Sequence, residues 1–204
     1  MMNADREQDL LHACSERNIE RICELVELGA NPNVKNGFGD TPLILLANSH
    51  GHIFPNIDFT PALSALLAAD AKIDQKCRKD GLTPLFSSVE VYNENIARFL
   101  IEQGADVNAK DRKGKTVLMT ALMRTQEKIV HSLIDHGASV HAVSRASRHV
   151  ISYLCGNVSV GLIQRLVEAG ANPRDDYCLC LWQMIESQNW EAARELVRLG
   201  AMPV

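Results

Sequence analysis

A Gly-Ala step that recurs at nearly constant spacing behind an amphipathic stretch restricts this chain more than any other feature. It closes six registers, at Gly29-Ala30 (LVELGANPN), Asp70-Ala71 (LLAADAKID), Gly104-Ala105 (LIEQGADVN), Gly137-Ala138 (LIDHGASVH), Gly170-Ala171 (LVEAGANPR) and Gly200-Ala201 (LVRLGAMPV), spaced by 41, 34, 33, 33 and 30 residues. A period near 33 marks an array in which each unit buries its apolar face only against its neighbours. A second landmark keeps the same register. Thr83-Pro84-Leu85 and Thr116-Val117-Leu118 stand 21 residues ahead of Gly104 and Gly137, and Thr41-Pro42-Leu43 opens the longer second unit.

Both landmarks have a physical reading as helix boundaries. Thr is a good N-cap, Pro is tolerated at the first helical position where its missing donor would be unpaired anyway, and Leu begins the buried stripe. Gly behind the second stretch takes the left-handed C′ conformation at little cost, and Asp70, the one replacement, can adopt it too. The apolar content is 46%, aromatics only 5%, and Leu, Ala, Val and Ile carry the rest, which suits packed helices better than a β-sandwich. A formal net charge of −4 excludes a uniformly basic nucleic-acid binder. The N-terminus, MMNADREQDLL, has no signal-peptide pattern, so the cytoplasm is the expected compartment, with delivery into a host cell left open.

Thr-Pro-Leu followed by Gly-Ala-Asp-x-Asn at these offsets resembles the ankyrin repeat, with GADVNAKDRKGKTVL at 104–118 the nearest match. The resemblance implies an all-α solenoid of helix-turn-helix units joined by hairpin loops. It would form a single domain over 1–204, with repeats at approximately 1–35, 36–76 (with an insertion near 51–60), 77–110, 111–143, 144–174 and 175–204. The His that follows Thr-Pro-Leu in the family is replaced by Ile44, Phe86, Met119, Ser152 and Trp182, which removes the usual network between hairpin loops and predicts looser ones. Asp5 and Gln8 form a candidate capping box ahead of LLHACSERN. His149-Val150-Ile151 has no capping residue in register, so the fifth unit has the weakest first helix. Glu191, Arg194, Glu195 and Arg198 share a helical face in the sixth, which predicts a polar C-terminal cap.

No paired-carboxylate, nucleophile or phosphate-loop pattern is present, and the repeats leave no stretch for a catalytic domain, so the reading is non-catalytic. Cys14, Cys23, Cys77, Cys155, Cys178 and Cys180 are expected as free thiols. Cys178 with Cys180, and His50 with His52 near Asp58, lack the further ligands a metal site requires, so neither metal nor cofactor is expected. Leu100, Asp106, Val107 and Asn108 resemble the asparaginyl-hydroxylation pattern of some ankyrin repeats.

In such arrays the hairpin loops and the exposed face of each first helix form the binding surface. The loops at 33–40, 74–82, 108–115, 141–148 and 172–179 carry formal charges of 0, +1, +3, +2 and −1, a net +5 that leaves −9 for the remainder. Projection of the first helices places Met123, Arg124 and Tyr153 toward the groove, beside Lys79, Arg112, Lys113, Arg145 and Arg148. This mix of apolar and basic residues predicts a partner protein with an acidic patch, not nucleic acid and not a membrane. Phe54, Ile57 and Phe59 in the insertion form a secondary candidate contact. The role expected is that of a module that scaffolds, sequesters or inhibits another protein, bacterial effector and immunity roles included. A small-molecule or nucleic-acid-linked activity housed in the groove is the alternative.

Overall fold

The computed structural model describes residues 2–51, 53–54, 56–154, 157–175 and 179–201. Its helices come in pairs: α1 (Met2–Glu16) with α2 (Ile19–Glu27), α3 (Pro42–Ala47) with α4 (Thr60–Ala68), and α5 (Pro84–Glu90) with α6 (Glu94–Glu102). Then follow α7 (Val117–Met123) with α8 (Glu127–Asp135), a 3-10 helix (Val150–Tyr153) with α9 (Val160–Glu168), and α10 (Leu179–Glu186) with α11 (Trp190–Arg198). No strand occurs among the described residues, only single antiparallel bridges at Lys110–Thr116 and Val143–His149. Contacts gather the chain into two compact units, 1–106 and 107–204, each carrying three of these pairs.

The predicted boundary chemistry is present. Thr41, Thr83 and Thr116 each accept a hydrogen bond on the side-chain oxygen from the amide three residues on, at 3.4, 3.3 and 3.2 Å. Such a cap is worth about 1 kcal/mol. Asp70 has φ +66°, the left-handed geometry that Gly provides elsewhere. The second helices are capped by Asn18, Asn93, Ser159 and Asn189. Asn93 and Asn189 also bind the preceding repeat, each donating its side-chain amide to a carbonyl, Ser49 at 2.7 Å and Val158 at 2.8 Å.

Burial differs between the two helices of a pair. The second helices are amphipathic, as α6 shows by burying Ile96, Ala97, Leu100 and Ile101 and exposing Arg98 and Glu102. Within the first unit α3 packs on both α1 and α5, and in α7, which packs on the 3-10 turn, every residue from Val117 to Leu122 is buried. A short helix enclosed that way shows little surface, so only its C-terminal end reaches solvent.

Two sequence expectations, at the first and sixth repeats, are corrected, while the weak first helix expected of the fifth is observed. Asp5 lies inside α1 rather than capping it, because the helix already begins at Met2. The fifth repeat replaces its first α-helix with the four-residue 3-10 turn, whose cap position, His149, makes no side-chain cap bond. The sixth repeat keeps Glu191, Arg194 and Arg198 exposed but also exposes Trp182, Ile185, Trp190 and Val197, so its outer face is apolar in part.

Candidate protein-interaction surface

In the second unit the basic surface rests on two hairpin loops with one shared design. In the loop at 108–115, Asp111 Oδ1 accepts from the backbone amides of Lys113 and Lys115, both at 2.8 Å, while the Asp111 amide donates to the Lys115 carbonyl at 3.0 Å. In the loop at 141–148, Ser144 stands in the same register. Its amide donates to the Arg148 carbonyl at 3.0 Å and its hydroxyl oxygen accepts from the Arg148 amide at 3.3 Å. The tip needs a left-handed residue, Gly114 (φ +73°) in one loop and Ser147 (φ +56°) in the other.

The two loops are joined directly. The Arg145 amide donates to the Lys113 carbonyl at 3.0 Å, and a Cβ on Gly114 would lie 3.0 Å from that same amide nitrogen. The looser loops expected from the missing His are therefore not found, because side chains at the loop bases and a backbone bond between tips replace it. In the first unit Asn36 plays the part of Asp111, and Cys77 does so with sulfur, its Sγ accepting from the Leu82 amide at 3.3 Å.

This architecture presents Arg112, Lys113, Arg145 and Arg148 as exposed side chains on neighbouring tips. Lys113, Arg145 and Arg148 make no side-chain hydrogen bond or ion pair among the described residues, while the Asp111 carboxylate is engaged by backbone amides. Met123 is 43% exposed at the end of α7, with Arg124 half-buried after it. Tyr153 is only 7% exposed, contrary to its projection into the groove, as are Ser87 and Thr120 at the same register, each at 1%. The register four residues past the cap is core, because another first segment of the same unit packs against it, α3 on α5 and α7 on the 3-10 turn. Lys79 is exposed on a loop of the first unit.

Two exposed apolar residues of the hairpin loops escaped the sequence reading. Val143 is 40% exposed at the base of the fourth loop, and Phe38 is 77% exposed between Gly37 and Gly39 at the tip of the first. An aromatic between two glycines in a turn has no neighbour to pack on, and that was the available signal.

The insertion, in the first unit, folds back in part. Gly51 starts it where any Cβ would come within 2.4 Å of the Tyr92 carbonyl oxygen. Phe59 is buried, Ile57 is half-buried, and Phe54 lies under the Arg17 guanidinium at 4.0 Å from the ring centroid. Ile53 is 56% exposed, and a cleft of about 430 Å³ opens between Ile57, Phe59, Leu63, Asn95, Arg98 and Phe99. The Thr60 hydroxyl and amide hold the Asp58 carboxyl below its ordinary pKa at the cleft edge.

Elsewhere, burial pushes the Cys14 thiol up to about 12, which suits a small core residue. Cys23, Cys77 and Cys180 are also free thiols, whereas Cys155 and Cys178 lie outside the described residues, as does His52. Among the described residues no group of three or more His, Cys, Asp or Glu side chains is arranged to hold a metal ion. Among the described residues no helix is long and apolar enough to cross a membrane. Asn108 accepts from the Ser139 amide at 2.7 Å and donates to the Gly137 carbonyl at 3.1 Å, which ties the third loop to the end of α8.

Comparison with known proteins matches this architecture to one family. A family model for ankyrin repeats (three copies) covers residues 10–111 and 56–144. An ankyrin repeat protein of fowlpox virus is 28% identical over 53% of this chain and 18% of its own length. The mouse ankyrin repeat and SAM domain-containing protein 6 is 30% identical over 54% of this chain and 12% of its own. The phosphocholine transferase AnkX of Legionella pneumophila is 25% identical over 60% of this chain and 12% of its own. The aligned segment thus spans less than a fifth of each of these three relatives. With its paired helices, Thr caps and left-handed Gly-Ala steps in register, the chain belongs to the ankyrin-repeat family, a family of protein-interaction modules.

Proposed function

We propose that this chain is a non-catalytic binding module that scaffolds, sequesters or inhibits a partner protein bearing an acidic patch, and that the partner docks on the third and fourth hairpin loops. The observation that carries the reading is the Arg145–Lys113 backbone bond, which holds two basic tips side by side with Arg112, Lys113, Arg145 and Arg148 in solvent. Fixed cations of one sign steer an acidic partner, while Met123 and Val143 supply apolar contact at the edge of the patch. Arg124 adds to the basic character of this surface, Lys79 is an exposed cation on a loop of the first unit, and Tyr153, being buried, belongs to the core rather than to the contact. The insertion offers a second contact through Ile53 and Ile57, with Phe54 and Phe59 as its supports. The relative that is named an enzyme aligns over 12% of its own length, and its activity is not carried across to this chain.

The test captures partners from native lysate on the immobilised chain, in parallel with Arg112→Glu/Arg145→Glu and with Ile53→Ser/Ile57→Ser, at low and high salt. The charge reversal is expected to slow association at least tenfold at low salt and to matter less at high salt. If it captures the same acidic proteins as the parent at low salt, the basic loops are only solvated decoration. Retention by the loop variant together with loss by the insertion variant would move the site to the insertion.

A further inference from the structure

The long connection between α3 and α4 does more than fold back, because it forms one wall of the cleft beside α6. α2 packs on α4, but α4 has no such contact with α6, and the cleft of about 430 Å³ fills the space between those two helices. The same place in the second unit is closed. There Glu127, the first residue of α8, accepts from the Ser159 amide and hydroxyl at 2.8 Å, which ties α8 to the start of α9. In the first unit Thr60 stands in the register of Glu127, and Asn93 in that of Ser159. The Thr60 amide donates instead to Asp58 in its own loop at 2.9 Å, and Asn93 donates to the Ser49 carbonyl at 2.7 Å. With both residues turned away from each other, the groove between the helices stays open.

Its shape is set in advance. Arg17 fixes the start of the connection, lying 4.0 Å from the Phe54 ring centroid and donating to the Ser49 hydroxyl at 3.1 Å. Phe59 and Leu63 are buried in the floor, and Ile57 and Phe99 are half-buried along it. The rim is exposed and polar, with Asn95, Arg98 and Glu102 on α6 and Asn56 and Asp58 on the connection. A small molecule needs most of its surface enclosed, which so open a rim does not provide, whereas side chains of a passing polypeptide fit such a groove. Charge then selects the side chains. Glu102 already has Arg98 at 3.8 Å. Asp58 makes no ion pair among the described residues, and its bonds from Thr60 keep it anionic. The N-terminal end of α4 offsets at most about half a charge, so a net negative site remains beside an apolar floor.

We infer that this groove is a docking site for a short polypeptide segment in which an apolar side chain stands next to a Lys or Arg. The apolar group lies on Ile57, Leu63 and Phe99, and the cation meets Asp58. The inference rests on the reading of the insertion as a contact and gives that contact a partner chemistry opposite in sign to the one proposed for the basic loops.

Selection from a phage-displayed library of random peptides on the immobilised full chain tests this, with Arg112→Glu/Arg145→Glu as a parallel bait. Selected peptides are then titrated into the isotope-labelled chain while the methyl signals of Ile57 and Leu63 are followed. Peptides with adjacent apolar and basic residues are expected from both baits, and they should shift those methyls. Asp58→Asn keeps a capping side chain ahead of α4 but removes the charge, so it should weaken binding roughly three- to fivefold at low salt and less at high salt. Ile57→Ser should weaken it about tenfold at either salt. Backbone amide spectra confirm that both variants fold. Failure to select such peptides, or binding that ignores both substitutions, overturns the inference. Acidic peptides alone, lost with the loop variant, overturn it too while upholding the basic loops, so the two readings fail separately.

Discussion

Repeats four and five share a unit, a period and nearly the same entry geometry, yet only one of them forms its first α-helix. Thr116 enters with φ −88° and ψ 164° and is followed by the seven residues of α7. His149 enters with φ −77° and ψ 163°, and four residues of 3-10 helix follow. Burial does not separate them, since Val117, Leu118, Val150 and Ile151 are all 1% exposed or less. Local chemistry does. Thr116 accepts from the Met119 amide and Met119 Sδ accepts from the Thr116 amide at 3.4 Å, so both ends of the first turn are closed. VLMTALM then continues with good helix formers, whereas VISYLCG starts with two β-branched residues and reaches Gly within two turns. In a helix of two turns, where nucleation is a large share of the cost, the cap and a few propensities decide the outcome.

The strongest way to break this comparison is to remove the neighbour on which the weaker repeat leans. Deleting 175–204 takes away α10, which packs on the 3-10 turn, and α11, which packs on α9. Leu162, Ile163 and Leu166 of α9 then lose one side of their surroundings. The fragment 1–174 is expected to lose the fold of repeat five along with repeat six, and to aggregate on size exclusion. A fragment as soluble and as cooperative in urea as the parent would show repeat five to be self-sufficient.

A smaller effect separates the residues that stand where the family has His. Met119 is fully buried, and Met119→Ala should cost about 2–4 kcal/mol in urea denaturation through the cavity it leaves. Ser152, at the same register, buries a hydroxyl that has no hydrogen-bond partner among the described residues. Ser152→Ala should therefore lie within about 0.5 kcal/mol of the parent or stabilise it, because it removes an uncompensated polar atom. A loss from Ser152→Ala as large as that from Met119→Ala would reveal a bond to the Ser152 hydroxyl in solution.

Smaller still is the cap exchange. Thr116→Ala is expected to lose about 1 kcal/mol. His149→Thr should gain about half that, since His149 already has the required backbone, less what is lost with the half-exposed His149–Asp175 contact at 3.4 Å. Destabilisation by His149→Thr would mean that this contact, and not the missing cap, governs the segment.

The fold was legible because its signals are local: Thr caps, the left-handed step after each second helix, and the period that links them. The same locality limited the reading of the site. Charge on Arg112, Lys113, Arg145 and Arg148 could be assigned to solvent from loop position alone. The side of a two-turn helix that faces outward could not, since α7 is enclosed from Val117 to Leu122 and only Met123 emerges. Tyr153 was misplaced for that reason. The polar cap of the sixth repeat was misread for another: Glu191, Arg194, Glu195 and Arg198 do share a face, but Trp182 and Ile185 belong to the stacking register, and nothing in their identity says whether a neighbour follows.

The smallest effect concerns the ties that hold α9 on either side. Toward repeat four, the Ser159 amide and hydroxyl both donate to the Glu127 carboxylate at 2.8 Å. Toward repeat six, Gln164 donates to Glu195 at 2.9 Å, and Arg198 donates to the same carboxylate. Hydrogen bonds from Arg198 first and Gln164 second lower the Glu195 pKa from 4.5 to about 2. Because the folded value lies below the unfolded one, the contribution of this carboxylate is complete above its ordinary pKa of 4.5 and is lost as pH falls through about 2. Arg198 is exposed at 67% while Glu195 is 11% exposed beneath it, and screening of this surface pair keeps the stability change small, so the clearer readout is the carboxyl itself. Its carbon chemical shift should titrate with a midpoint near 2 in the parent and move toward the ordinary value in Arg198→Gln. A midpoint at the ordinary value in the parent would show the tie between repeats five and six to be open in solution, leaving Glu127 and Ser159 as the stronger tether and repeat five bound more firmly to repeat four than to repeat six.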